Sequence, residues 1–499
     1  MTERRAFLSK LAISGIALAG TGRLQPEPLP AGEGAMRNVR AFGAKGDGLT
    51  DDTAAFNAAT DAAAAVPPEG ARVGIFVPPG TYRIDETVWV RKGQSLIGAG
   101  DATVIDASRA QGRTIVLGRD SRDREDSGGA PVTVGELRFW GGSDKAPLIE
   151  APLAGFAIRN LFITSAGIAI LITGGDGIVS NIIIDQALNG IILRGARNVL
   201  IDNLISYSAN YAITIDRTTN DVALSNMVIA YSKNASILFS EGATGITSIR
   251  ISGATFVSNV EYKSFVGHVH ARAQAFDAQF SDCVFRNWRG FAVTQEAGSG
   301  ARLLLANCTF DGSRSHASYN ASATASGIRT GVGGQFRLSD CRFLRLPGPV
   351  ASIGPGLREL TIDGGLVDDC RGDPIRFVPR AGGRICVRDT DGFGRRIEQS
   401  GTSSIVLPWC GPTTAWRVSA ARRGAPGGMV LATIAACEKG GTVSCSVDEV
   451  HRHGEPLPLA CGFGAERGGP QQVSAGEGSG SLCITVPATG IDWTVETAI

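Results

Sequence analysis

One feature constrains this chain before any other: from residue 159 onward it repeats itself every 21 to 23 residues. Asn160, Asn181, Asn203 and Asn226 each precede a short apolar run: Leu161-Phe162-Ile163, Ile182-Ile183-Ile184, Leu204-Ile205 and Met227-Val228-Ile229. The separations are 21, 22 and 23 residues. That period is too short for a pair of helices and matches one turn of a solenoid. Within each repeat a second apolar run follows a glycine or other residue, as in Gly167-Ile168-Ala169-Ile170, Gly190-Ile191-Ile192-Leu193 and Tyr211-Ala212-Ile213-Thr214-Ile215. A third follows at Val199-Leu200-Ile201 and Val222-Ala223-Leu224. Three short strands per coil make a three-faced tube whose inward Ile, Val and Leu stack along its axis. Later coils lengthen but keep the pattern at Asp282, Asn307, Asp340 and Asp363.

Composition agrees with an all-β chain of many turns. Glycine makes up 66 of 499 residues, about twice the ~7% usual in proteins. In three of the longer coils a cysteine holds the same place: Asp282-Cys283-Val284-Phe285, Asn307-Cys308-Thr309-Phe310 and Asp340-Cys341-Arg342-Phe343. Successive coils lie ~4.8 Å apart, so these thiols stack. A disulfide or metal reading is open. The favoured one is a ladder of buried free thiols acting as small apolar groups. The coils are expected to end near residue 400. Beyond them, Cys410, Cys437, Cys445, Cys461 and Cys483 punctuate a Gly/Pro-rich β-like stretch. Five is odd, so Cys370 or Cys386 joins a pairing or one thiol stays free. Connectivity does not follow from sequence.

The most specific local motif runs from Asn38-Val39-Arg40-Ala41-Phe42-Gly43 through Asp47-Gly48-Leu49-Thr50-Asp51-Asp52-Thr53 into the alanine-rich stretch Ala54–Ala65. Asp51 or Asp52 is placed to cap a helix there. A cluster of Asp47, Asp51 and Asp52 binding a metal is the weaker alternative. Val73-Gly74-Ile75-Phe76-Val77-Pro78-Pro79-Gly80-Thr81-Tyr82 and Gln94-Ser95-Leu96-Ile97-Gly98-Ala99-Gly100 then read as strand-and-turn units. This order resembles the N-terminal part of the pectate-lyase-like β-helix superfamily, which includes rhamnogalacturonase-, polygalacturonase- and epimerase-related proteins and phage tailspikes. The resemblance is close over residues 37–106 and one of pattern afterwards. It implies a right-handed, single-stranded parallel β-helix with an N-terminal capping helix that covers the open edge of the first coil. The expected organisation is a signal and linker over 1–35, the β-helix over 36–400, and a small C-terminal β domain or cap over 401–499.

The N-terminus reads as an export address. Arg4-Arg5-Ala6-Phe7-Leu8-Ser9-Lys10 precedes an apolar stretch from Leu11 to Ala19, which ends in Ala17-Leu18-Ala19. The stretch is too short for a stable span and has a small-x-small cleavage pattern. The basic run resembles a twin-arginine (Tat) signal, which is read by a receptor and exports folded proteins. Pro26, Pro28 and Pro30 stiffen the linker that follows. Expected partners are therefore the Tat machinery and, in the periplasm or outside the cell, a polysaccharide. The signal with its coils of this length also resembles exported β-helix repeat proteins. No other stretch is apolar enough to span a membrane. The formal charge of +1, from 48 basic and 47 acidic residues, gives no sign of a nucleic-acid partner.

Alternation along a strand singles out one outer strip. In Gly267-His268-Val269-His270-Ala271-Arg272-Ala273-Gln274, the small apolar residues suit the interior. His268, His270, Arg272 and Gln274 then face solvent. Neighbouring coils offer Arg194, Asp216 and Ser240 or Glu241 on one side, and Glu296, Arg329 and Arg376 on the other. Such a set suits acidic sugars. A β-eliminating lyase needs a cation on the uronate carboxylate and a base at the adjacent carbon. Arg272 or Arg329 serves as the clamp and His268 or His270 as the base, with Tyr262 and Lys263 nearby. Hydrolysis needs two carboxylates instead, here Glu241 and Glu296. The alternative is a solvated face that only keeps the sheet soluble.

Departures from the family bear on these roles. Polygalacturonase-like members carry an Asn-Thr-Asp, Asp-Asp, Gly-His-Gly and Arg-Ile-Lys series. This chain has only Gly267-His268-Val269-His270, with Asp368-Asp369 downstream of it. The Asp-Pro-His-Asp signature of alginate epimerases is absent, and no acidic cluster marks a calcium site, though a divalent cation is not ruled out. No cofactor motif is visible. The expected function is thus a carbohydrate-active protein, a lyase or glycoside-hydrolase-like enzyme on an acidic polysaccharide. The alternative is a glycan-binding or cell-envelope structural protein on the same scaffold.

Overall fold

The computed structural model describes residues 36–64, 74–118, 131–258, 264–296, 300–313, 326–331, 333–354 and 357–370, and beyond these the backbone of strands between 375 and 498. The signal segment, Tyr262, Lys263 and Cys410 lie outside the described residues, as do the side chains of Arg376 and the other C-terminal cysteines. The chain forms a right-handed parallel β-solenoid of about 11 turns with one α-helix near its N-terminus. Among the described residues no helix is long and apolar enough to cross a membrane.

The three faces are present, with one difference from the sequence reading. One face is a separate run of 12 parallel strands. The other two join where a strand runs on around a corner. Arg197–Tyr207 pairs through its first part with Asn220–Ser225 and through its second with Val228–Ala230. The bend falls on the repeating asparagines. Asn160, Asn181, Asn203 and Asn226 have φ of 53°, 56°, 54° and 53°, a left-handed conformation that asparagine tolerates better than most residues. Their side chains reinforce the corner: Asn181 donates to Asn160 and Asn203 to Asn181, each at 2.8 Å. Asp282, Asn307 and Asp340 bend the later coils in the same way, but the last corner falls on Gly364 (φ 70°) rather than Asp363. Gly253 (φ 60°) turns the coil between Asn226 and Asp282, which the asparagine pattern passes over.

The core is a set of axial stacks. Phe256, Phe285, Phe310 and Phe343 lie ring on ring at 4.9, 4.7 and 4.7 Å, tilted by no more than 12°. Cys283, Cys308 and Cys341 occupy equivalent places in successive coils, buried and free, and Gly365 takes that place in the next coil. At the N-terminal end helix α1 (Thr53–Ala64) packs against the first coil, with Phe56 edge-on to Tyr82 at 5.5 Å. The acidic residues before it serve local structure. Asp51 accepts from Thr53 N and Oγ1, Asp52 O accepts from Phe56 N, and the Asp52 carboxylate accepts from the amides of Lys45 and Gly46. Gly46 (φ 64°) also lies against Tyr82, where a Cβ would come within 2.8 Å of the ring.

Seven strands of the 12-stranded face position the site: β1 (Asn189–Arg194), β2 (Tyr211–Asp216), β3 (Ala235–Phe239), β4 (Gly267–Ala271), β5 (Phe291–Gln295), β6 (Ser326–Thr330) and β7 (Ala351–Ile353). Parallel pairing with the solenoid continues as far as Arg384–Arg388. From Ile397 to Ala498 the strands instead form antiparallel sheets of five and three.

Candidate functional site

Parallel in-register pairing turns side chains that are distant in sequence into axial columns. One column runs through Thr214, Leu238, His270, Thr294, Arg329, Ser352 and Arg376. A second lies at the ends of the same strands. Arg194 pairs with Asp216, and the next coils place Ser240, Arg272 and Glu296 directly after the paired residues Phe239, Ala271 and Gln295.

These columns bring four of the expected residues into one cluster. Glu296 Oε1 is 3.0 Å from His270 Nε2, and its Oε2 is 3.4 Å from Arg272 Nε. The Arg272 guanidinium also contacts Glu241, through Nη2. One arginine therefore carries two carboxylates from the coils on either side of it. Exposure grades outward: the His270 side chain is 9% exposed, Arg272 41%, Glu296 43% and Glu241 70%. Burial lowers the His270 pKa, Arg272 lowers it further, and Glu296 opposes both. With its pKa held below the ordinary value the ring is neutral near pH 7, and it stands beside Glu296 as a group able to accept a proton.

His268 is not part of this surface. Its side chain is fully buried among Phe256, Phe265, Phe285 and Trp288, at ring distances of 5.2 to 6.3 Å. Alternation fails here because the strand is leaving a corner. The equivalent places in other coils hold Gly190, Ala212, Ser236 and Ala292, all buried. Nε2 lies 3.0 Å from the Arg286 carbonyl and Nδ1 3.2 Å from the Ser236 hydroxyl. A carbonyl can only accept, so Nε2 carries the hydrogen and Nδ1 accepts from Ser236. Burial pushes the His268 pKa down to about 3. A neutral ring sealed in the core cannot act as base on a polymer.

The remaining expected residues fall into two groups. Arg194 and Asp216 pair with each other at 3.0 Å, three and two coils before Arg272 in the same column. Arg329 stands apart from the cluster, exposed, with its guanidinium 5.4 Å from the ring centroid of Phe291. Two partners escape the sequence reading. Phe291 looks like an ordinary strand apolar residue, and Arg113 binds Glu150 at 3.0 Å on an earlier coil of the same face. The outward position of Glu150 in Leu148-Ile149-Glu150-Ala151 was the available signal. Among the described residues no three or more His, Cys, Asp or Glu side chains converge to hold a metal ion.

Comparison with known proteins supports the fold. Residues 36–144 match the family described as rhamnogalacturonase A/epimerase, pectate lyase-like. The chain has the pectate-lyase-like β-helix architecture that its N-terminal motif implies. A 76-residue stretch is 37% identical to the non-secreted LysM effector LysM19 of Penicillium expansum, covering 15% of this chain and 6% of that protein. The chain thus spans only a small fraction of the curated relatives it matches. Among solved structures it is similar to a family 28 exopolygalacturonase of Yersinia enterocolitica, with a TM-score of 0.51 and 12% identity over 72% of this chain and 79% of the other. The A-module of the mannuronan C-5 epimerase AlgE6 of Azotobacter vinelandii has a TM-score of 0.46 and 13% identity over 71% and 98%. At 12% identity the likeness to the exopolygalacturonase is one of fold alone.

Proposed function

We propose that this chain is an exported carbohydrate-active enzyme that cleaves a polysaccharide lying along the outer side of β1–β7, by acid–base chemistry at Glu241, Arg272, Glu296 and His270. The observation that carries the reading is the single guanidinium of Arg272 held between two carboxylates, one of which also meets a neutral histidine. Glycosidic hydrolysis uses two carboxyl groups about 5 to 9.5 Å apart, one to protonate the leaving oxygen and one to attack or to activate water. Glu241 and Glu296 each contact a nitrogen of the same guanidinium, Nη2 and Nε. Glu296 is the group that exchanges a proton with His270, Glu241 is the second carboxylate, and Arg272 orients both. Arg194, Asp216 and Ser240 continue the strip and bind sugar hydroxyls. The column from Arg194 to Glu296 spans four coil rises, ~19 Å, room for several sugar units.

Hydrolysis is preferred to β-elimination because Arg272, the cation an eliminating enzyme would set on a uronate, is already occupied by two carboxylates. The family match over 36–144 supports a glycan as ligand. The twin-arginine run supports action in the periplasm or outside the cell. The test is an assay against a panel of neutral and acidic polysaccharides. New reducing ends without unsaturation are expected. Unsaturated ends would assign elimination, with His270 as base. Tight binding with neither product would discard the enzyme and leave the glycan-binding scaffold.

A further inference from the structure

Charge along the strip is not evenly satisfied, and the imbalance bears on what kind of polymer fits. Three arginines that reach this face are matched: Arg113 by Glu150, Arg194 by Asp216, and Arg272 by Glu241 and Glu296. The cluster itself therefore carries more negative than positive charge. The outward column on its N-terminal side is mostly apolar, running through Leu171, Ile192, Thr214 and Leu238. Arg329 is different. It is exposed, rests on Phe291, and makes no ion pair with any described residue. Thr294 separates it from His270 by one register step on each side, so it lies two coil rises, ~10 Å, beyond His270 and Arg272, and one rise beyond Glu296.

We propose that the site selects a polysaccharide whose sugars over the Glu241–Arg272–Glu296 cluster are uncharged and which carries an isolated acidic sugar two coil rises beyond Arg272, held by Arg329 against the ring of Phe291. This rests on the functional reading above and names its substrate class. A continuous polyanion would set carboxylates against Glu241 and Glu296, where no unpaired cation among the described residues receives them. A wholly neutral polymer would leave Arg329 unused. An acidic sugar stacked on Phe291 would gain both a ring contact and a charge-assisted hydrogen bond to the guanidinium.

The test reads binding rather than turnover, so it stands even if the cleavage reading fails. Galacturonan, glucuronan and alginate are each prepared fully ionised, partly esterified so that free carboxylates are sparse, and fully esterified. Affinity of the full-length protein for each is measured by calorimetry. In at least one series the sparsely charged polymer is expected to bind roughly tenfold more tightly than either extreme, the scale of one charge-assisted hydrogen bond. Arg329→Gln should abolish its advantage over the fully esterified form, while Arg329→Lys keeps part of it. Tightest binding to the fully ionised polymer in every series overturns the proposal. So does an order of preference that Arg329→Gln leaves unaltered, or no binding in any series.

Discussion

Glu296 and His270 meet at 3.0 Å across adjacent coils although 26 positions separate them in the chain, and the second oxygen of the same carboxylate reaches Arg272. A carboxylate shared in this way has its orientation fixed from two directions. Glu296→Gln keeps the shape and removes the proton exchange. Turnover is expected to fall by roughly a hundredfold or more, with an unchanged far-ultraviolet spectrum to show that the fold persists. Wild-type turnover in this variant discards Glu296 as the acid–base group.

Glu241 is the other half of the proposed pair and the more exposed of the two. Glu241→Gln should reduce kcat by at least as much as kcat/KM on the preferred polymer, since its role is in the reaction rather than in holding the ground state. A rise in KM at constant kcat would reassign it to sugar binding.

The buried neutral His268 makes stability depend on pH in a definite direction. Its folded pKa lies below its ordinary value, so the unfolded chain binds more protons between about 6.5 and about 3. Stability contributed above pH 6.5 is therefore lost as the pH falls through that window, by an amount on the order of a few kcal/mol. His268→Gln should flatten the fall in melting temperature between pH 7 and pH 4 relative to wild type. Parallel curves would show that the ring is not held neutral.

The corner asparagines separate a conformational effect from a hydrogen-bond effect. Asn181→Gly keeps access to positive φ and loses only the ladder. Asn181→Ala loses the ladder and pays left-handed strain as well, about 1 kcal/mol more. Urea midpoints of the two variants should rank Gly above Ala. The reverse order would mean that backbone strain is not what places asparagine there.

Arg4→Lys with Arg5→Lys preserves charge and removes the paired guanidinium address. The protein should then stay in the cytoplasm, folded, as read by fractionation and immunoblotting. Export at the wild-type level would remove the twin-arginine reading.

Most of the architecture was legible because the solenoid repeats one local solution. The asparagine spacing marked the coils, since few residues sit well in the left-handed conformation that each corner needs. The cysteine positions marked the inner stack for the same reason, a fixed place in a fixed coil. The Glu241, His270, Arg272 and Glu296 association was reachable because parallel pairing converts equal positions in neighbouring coils into contacts. His268 was misplaced because alternation describes the middle of a strand and not its departure from a corner. The Arg329–Phe291 contact was invisible to that logic too, because it depends on how a long side chain folds over a neighbouring ring.

In-register pairing makes the solenoid a graduated ruler. Thr294 and Arg329 are one step apart along the axis although a long stretch of chain joins them, so loops can grow without moving the marks. Inserting one complete coil between β5 and β6 would slide Arg329 one mark away from Glu296, and inserting two would slide it two. Descendants of such a chain can thus re-size the distance between two contacts in whole steps, leaving the chemistry at each end untouched.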